Sequence, residues 1–398
     1  MAVVSTGTAR NTWRIALLPG DGIGVEVSDA AEAVLTVLRE RSSLPLAWQR
    51  LPWPSTAWHQ AHGAMMPDDA LTQLREFDTL LLGALGDPGP SRDKQRYQLP
   101  DGISLSPLLA LRKGFDLWAC ERPAICYPGA TRYLADPRAA DVDMLVIREN
   151  SEGEYVNQGG RLRQGSTQEI ATQLEVFSYH ATERVIRHAF ERARQRQQSR
   201  AAANAPRHYT NAAGDTATAQ VCLITKRNAQ RYWGELYTDV FAQVASDYPD
   251  IGTHHELVDA ACMKFVQCPW RFDVVVASNL HGDILTDLAA VLSGGMGVAP
   301  STNINPQDRS VPPLFEPTHG SAPDIAGQDL ADPRAMLFST ALMLDWMGEE
   351  DAAASTAATM LRDALCADLA ANSTSPRGTQ QITRDIIQRL SSPRSARD

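Results

Sequence analysis

The 398 residues contain no CxxC pair, no zinc-type cysteine spacing and no uninterrupted apolar run of membrane-spanning length. The six cysteines (Cys120, Cys126, Cys222, Cys262, Cys268 and Cys366) therefore read as reduced core residues of a cytoplasmic protein. A surplus of positive charge is also missing. Lys and Arg number 37 against 47 Asp and Glu, a net charge of −10, so a nucleic-acid partner has no electrostatic footprint. An anionic substrate would need individually placed arginines. The first residues, MAVVSTGTARNTW, have neither a basic nor an apolar signal region, so a loose polar leader over residues 1–12 is expected. The standard dinucleotide fingerprint is absent too. Gly20-Asp21-Gly22-Ile23-Gly24 stands between a strand-like run and an amphipathic helix, but the third helical glycine is missing. The glycines need only permit a tight βα turn.

What is present is ordinary for a globular protein of about two domains. Strand-like runs (Arg14–Pro19, Thr79–Leu82, Asp143–Ile147, Val221–Thr225, Val274–Val276) alternate with amphipathic stretches, which argues an α/β fold. Residues 87–103 read as a Pro- and Gly-rich loop, and residues 169–197 as one long helix with a solvated basic end. Residues 197–219, low in large apolar side chains, read as a mobile surface insertion. Helices are also expected over 333–344 and 352–369.

The stretch VVVASNLHGDILTDLAAVLSGGMG (274–297) carries the densest chemical signal. A β-branched run predicts a buried parallel strand. Residues 278–282 predict a turn, and Asp283 is expected to open a helix whose apolar side chains, Ile284, Leu285, Leu288, Ala289 and Leu292, pack into a core. Asp283 and Asp287 are four apart and share one helix face. Like charges there repel by about 0.2–0.5 kcal/mol unless a cation intervenes. A hard divalent metal is one reading; two separately solvated acids are the other. Arg148 and Tyr155 follow the end of a buried strand, where α/β ligands bind.

Seven strings occur in the order of one family: LPGDGIGVEV (18–27), LLALRKGFDLWACERP (108–123), VIRENSEGEY (146–155), TKRNAQ (225–230), LVDA (257–260), SNLHGDILTDLAA (278–290) and FEPTHGSAPDIAG (315–327). Through them the chain resembles the β-decarboxylating 2-hydroxyacid dehydrogenases, which act on isopropylmalate, isocitrate, homoisocitrate, tartrate and D-malate. The resemblance implies a two-domain isopropylmalate-dehydrogenase-like α/β fold, with a large mixed central sheet flanked by helices, and not a standard Rossmann fold. It implies a discontinuous cofactor domain (13–118 with 299–392) and a substrate, metal and dimerisation domain (119–298). It implies Asp259, Asp283 and Asp287 as ligands of Mg²⁺ or Mn²⁺, with K⁺ a further candidate cofactor. Arg112, Arg122 and Arg148 are implied to clamp substrate carboxylates, Lys226 to serve the 2-hydroxyl as base, and Tyr155 to protonate the carbon left by CO₂. In the family, Lys226 and Asp259 come from the neighbouring subunit, which implies a homodimer with shared sites. Cofactor contacts are implied at Asn228, His319, Gly320, Ser321, Ala322, Asp324, Ile325 and Asp332. An acid at Asp324 suits the ribose diol of NAD and repels a 2′-phosphate, while Asp332 replaces an asparagine usual near the adenine.

The implied substrate is a small hydroxy-dicarboxylate. RENSEGEY and SNLHGDILTDLAA resemble the tartrate and D-malate enzymes most. Leu108 and Leu109, preceding Arg112, match the leucines that isopropylmalate enzymes set against the isopropyl group, so 3-isopropylmalate or a 3-alkylmalate is the alternative. Isocitrate would set a third carboxylate against leucines, at a cost of several kcal/mol. Readings from other classes are a metal-dependent hydrolase and an inactive binding relative.

Overall fold

The computed structural model describes residues 12–86, 99–210, 214, 216–371 and 376–392. The leader apart from Thr12, the loop residues 87–98, and residues 211–213 and 215 of the expected insertion lie outside that set. The chain divides into two compact units, Arg112–Gln307 and the two segments on either side of it, up to Leu111 and from Asp308. The boundaries expected at 118/119 and 298/299 fall inside the continuous unit. There the Trp118 indole donates to Asn305 Oδ1 at 3.0 Å, and the Asn150 amide donates to the Leu117 carbonyl at 2.9 Å.

The discontinuous unit holds four parallel strands in the order Leu314–Pro317, Thr79–Ala84, Trp13–Gly20, Leu46–Arg50. Helix Ile23–Ser42 buries Val27, Ala31, Val34, Leu35 and Leu38, the period of an amphipathic helix. Helices Arg334–Gly348, Ala352–Ala370 and Thr379–Ser391 belong to the same unit. The glycine turn is filled by the chain itself. Gly22 has φ 56°, and a Cβ there would lie 2.0 Å from the Ser321 carbonyl oxygen, which accepts the Ile23 N–H at 2.9 Å. The Asp21 carboxylate accepts from Thr56 N at 2.7 Å and Gly86 N at 3.2 Å.

The main sheet of the continuous unit runs through six strands in the order Gly252–Leu257, Gln220–Thr225, Val274–Ala277, Asp143–Glu149, Ala119–Ile125, Pro300–Ile304. The first four are parallel; the last two pair antiparallel, so this sheet is mixed and flanked by helices. Its central strands are buried on both faces, hence their β-branched runs. One face meets helices Val258–Gln267 and Asn279–Ser293 through Phe265, Leu285, Ala289 and Leu292. Helix Tyr179–Ala202 buries Val185, Ile186, Ala189 and Phe190. The register Thr225↔Leu257, Ile224↔Ala277 and Ala277↔Arg148 brings the carboxyl ends of four parallel strands level.

Two elements differ from expectation. Residues 169–178 are not helical: Ile170–Gln173 pairs with Gly159–Leu162 in an exposed hairpin, and the helix begins after Ser178, whose hydroxyl accepts from Ala181 N. The described residues of 197–219 are not a structureless insertion. The helix runs on to Ala202, a short hairpin pairs Tyr209–Thr210 with Thr216–Ala217, and Ala219 is fully buried. Arg200 holds the buried Asp273 carboxylate at 2.7 Å, and Arg207 donates to the Asp141 carbonyl at 2.6 Å. These cations are fastened at the amino ends of two central strands, which the segment's poor hydrophobicity concealed.

Candidate active site

The level strand ends deliver the site residues. Arg148 is the penultimate residue of its strand and is 1% exposed. Arg122 comes from the antiparallel neighbour, and Arg112 from helix Ser106–Gly114, one turn after the half-buried Leu108 and Leu109. Helix Asn279–Ser293 starts earlier than expected, because Ser278 caps it and its carbonyl accepts the Gly282 N–H at 2.8 Å. Asp283 therefore sits in the second turn rather than at the mouth. Leu285, Ala289 and Leu292 face the core, but Ile284 faces outward at 54% exposure.

Asp283 is the hub. Arg148 Nη1 makes a short ion pair with its Oδ1, Arg122 Nη1 lies 3.3 Å from the same oxygen, and the Tyr155 hydroxyl donates to Oδ2 at 2.7 Å. Burial pushes the Asp283 carboxyl up, but Arg148 and Arg122 outweigh it and hold the group below the ordinary carboxylate range. Burial likewise pushes Arg148 down and Tyr155 up. Arg122 also reaches Asp287 at 3.8 Å and donates to Thr286 Oγ1 at 2.6 Å. The Arg148 guanidinium lies 5.0 Å from the Tyr155 ring centre. Arg112 is 7% exposed and adds its charge to the group.

Lys226 and Asp259 do not join this group within the chain. They follow neighbouring strands and pair with each other at 2.7 Å. Among the described residues no three His, Cys, Asp or Glu side chains are placed to hold a metal together. Asp283 and Asp287 do suit a hard divalent cation: two carboxylates sit one helical turn apart, both drawn to Arg122, where a cation would relieve their repulsion.

Several residues that fix the geometry escaped sequence reasoning. Asn279 accepts from Arg148 Nε at 2.9 Å and donates to the Glu152 carbonyl at 2.9 Å. Thr286 stops Arg122. Gly282 lets the helix lie on Arg148, since a Cβ would come within 2.7 Å of the arginine Cβ. A small residue one turn into an acidic helix, before Asp283, was the available signal.

The expected cofactor residues, apart from Asn228, cluster in the discontinuous unit. His319 and Gly320 follow strand Leu314–Pro317; Ser321 is buried; Ala322 has φ 38° and its carbonyl accepts the Ile325 N–H at 3.1 Å. Asp324 is exposed. Burial lowers the His319 pKa, and its Nε2 has no hydrogen-bond partner among the described residues. The Asp332 carboxylate is already engaged by Arg334 at 2.7 Å. Asn228 is in the continuous unit, exposed in the turn after Lys226.

A family model described as isocitrate/isopropylmalate dehydrogenase matches residues 14–389. The chain belongs to this family. Isocitrate/isopropylmalate dehydrogenases include decarboxylating enzymes that oxidise a CH–OH group, and the chain is an enzyme of that class. It is 42% identical over 382 residues to a 3-isopropylmalate dehydrogenase of Thermobifida fusca (95% of this chain, 98% of the relative). It is 41% identical over 345 residues to the decarboxylating D-malate dehydrogenase of Escherichia coli (85% and 86%). It is also 41% identical over 384 residues to a probable tartrate dehydrogenase/decarboxylase of Bacillus subtilis (95% and 98%). Among solved structures, isocitrate dehydrogenase from Methylococcus capsulatus superposes with a TM-score of 0.76 at 31% identity, covering 96% of this chain and all of that one. The family uses NAD(P) and a divalent metal on small hydroxy acids. No described helix is long and apolar enough to cross a membrane.

Proposed function

We propose that this enzyme oxidatively decarboxylates D-malate or tartrate with NAD and Mg²⁺ or Mn²⁺, in the cytoplasm, as a homodimer. The observation that carries the reading is the meeting of Asp283 with Arg148, Arg122 and Tyr155 at the carboxyl ends of parallel strands. Arginine forks suit carboxylates bidentately, so Arg112, Arg122 and Arg148 would orient the diacid. A divalent ion held by Asp283, Asp287 and Asp259 would supply Lewis-acid polarisation of the hydroxyl and stabilise negative charge. Lys226 would take the hydroxyl proton as hydride leaves C2 for the nicotinamide. Tyr155, its proton held by burial, would then protonate the carbon vacated by CO₂.

The dimer reading is supported by apolar side chains left exposed on the two helices beside the site: Met263 and Val266, Ile284 and Val291. It is also supported by the separation of the Lys226–Asp259 pair from Asp283 within one chain. The preference for NAD rests on Asp324. For the substrate, the strings around Tyr155 and Asp283 resemble those of D-malate and tartrate enzymes, and two of the relatives bear those names. A second reading, 3-isopropylmalate, is favoured by the Thermobifida relative and by the half-buried Leu108 and Leu109.

The deciding assay is NAD reduction with Mn²⁺ across D-malate, both tartrates, 3-isopropylmalate and isocitrate; a clear preference for 3-isopropylmalate overturns the first reading. Shared sites are tested by mixing unfolded Lys226→Ala and Asp283→Ala chains and refolding them together. A hybrid dimer would hold one intact site, so about a quarter of wild-type activity should return. No recovery would refute sharing.

A further inference from the structure

We propose that Glu154 is a positioning residue that sets Tyr155 against Asp283; this rests on the reading of Tyr155 as proton donor. The Glu154 carboxylate straddles the N-terminus of helix Asn279–Ser293. Oε1 accepts from the Ser278 hydroxyl at 2.7 Å, and Oε2 accepts from the Leu280 amide at 3.1 Å. That amide is one of the first-turn donors with no partner inside a helix, and the positive helix end favours the carboxylate. The next residue, Tyr155, bonds Asp283 at 2.7 Å. Leu280 and Asp283 are three apart, one turn along a common helix side. Consecutive residues of the loop therefore grip one helix at two points about 5 Å apart along its axis.

Asp283 is charged and serves two arginines as well, so its bond to Tyr155 gives way when the carboxylate turns to another ligand. Glu154 uses neither the reacting atoms nor Asp283, and its grip persists when that happens. The loop is fixed from the other side by Glu152, whose carboxylate accepts from the Ser178 hydroxyl at 3.0 Å at the start of helix Tyr179–Ala202. Gly153 between them has φ 77°, so the two glutamates can turn to two different helices. Displacing Tyr155 by a fraction of a bond length would slow proton delivery while leaving the arginine clamp in place.

The test is a double-mutant cycle on the full-length enzyme with D-malate, NAD and Mn²⁺. Glu154→Gln keeps the size of the side chain but removes its charge from the helix end and leaves one carboxamide oxygen where two carboxylate oxygens accept from Ser278 and Leu280. It should lower kcat about 10–100-fold, with KM for D-malate changed less than about threefold. Because Glu154 acts through Tyr155, adding Tyr155→Phe should cost little more than Tyr155→Phe alone. If Glu154→Gln does not fold, the cycle is run with Glu154→Asp, which keeps the charge and loses reach. Additive losses, an unchanged kcat, or a rise in KM without a fall in kcat each overturn the proposal. A wild-type enzyme inactive on every malate-type acid overturns instead the reading of the site on which it rests.

Discussion

Gly282 and Arg148 meet with no room between them: a Cβ on the glycine would lie 2.7 Å from the arginine Cβ and 2.8 Å from its Cγ. The helix bearing both aspartates is thus seated directly on the strand bearing the arginine. Gly282→Ala should push the helix away, destabilising the fold by about 1–3 kcal/mol. Activity should fall further than stability, because Asp283 moves relative to Arg148 and Arg122. Urea unfolding and NADH formation on the same preparation check this; wild-type activity in the variant would show that the close contact is dispensable.

Lys226→Ala and Tyr155→Phe should fail in different ways. The lysine change should slow oxidation and decarboxylation together, whereas the tyrosine change should chiefly slow protonation and the release of keto-acid product. Rapid-quench measurement of NADH and keto acid separates the two. Equal, mild effects would contradict the assigned roles.

Asp324→Ala should weaken NAD about 10–150-fold and leave NADP binding unchanged or improved, because a carboxylate accepting from a ribose diol is worth about 1.5–3 kcal/mol. Fluorescence titration with both dinucleotides measures the ratio. An unaltered preference would remove Asp324 from cofactor selection.

Acid stability should depend on Glu121. Burial raises its pKa, but Arg192 and His188 more than reverse this, lowering it from 4.5 to about 2. The arginine Nε lies 3.0 Å from the carboxylate and the His188 Nε2 2.7 Å. A depressed carboxyl pKa stabilises the fold above the unfolded value and ceases to do so as pH falls through the folded one. The contribution, on the order of 3 kcal/mol, should therefore be complete above pH 4.5 and be lost between pH 4.5 and 2. Glu121→Gln should flatten the stability-versus-pH curve in that window alone. The check is urea unfolding at several pH values between 2 and 6.

Much of this was legible in the residues. The Val274–Val276 run needs burial on both faces, so strand and position followed from it. The four-residue spacing of Asp283 and Asp287 fixed their shared helix face. The hairpin at Gly159–Leu162 and Ile170–Gln173 was not legible, because its residues are exposed and no buried face imposes a period of two. The helix start was misplaced because His281-Gly282 looked like a turn, whereas Ser278 supplied a cap. Glu152, Glu154, Asn279 and Thr286 act through partners up to 164 residues away, and no local pattern encodes such contacts.

The Ser321 carbonyl that closes on Gly22 lies almost 300 residues further along the chain. Synthesis therefore imposes an order. All of Arg112–Gln307 emerges from the ribosome while strand Thr79–Ala84 still awaits its neighbour Leu314–Pro317. The first-made segment must persist with one sheet edge open and its glycine turn unclosed until nearly the last quarter of the chain arrives, which is the interval in which nascent chains are most exposed to mispairing.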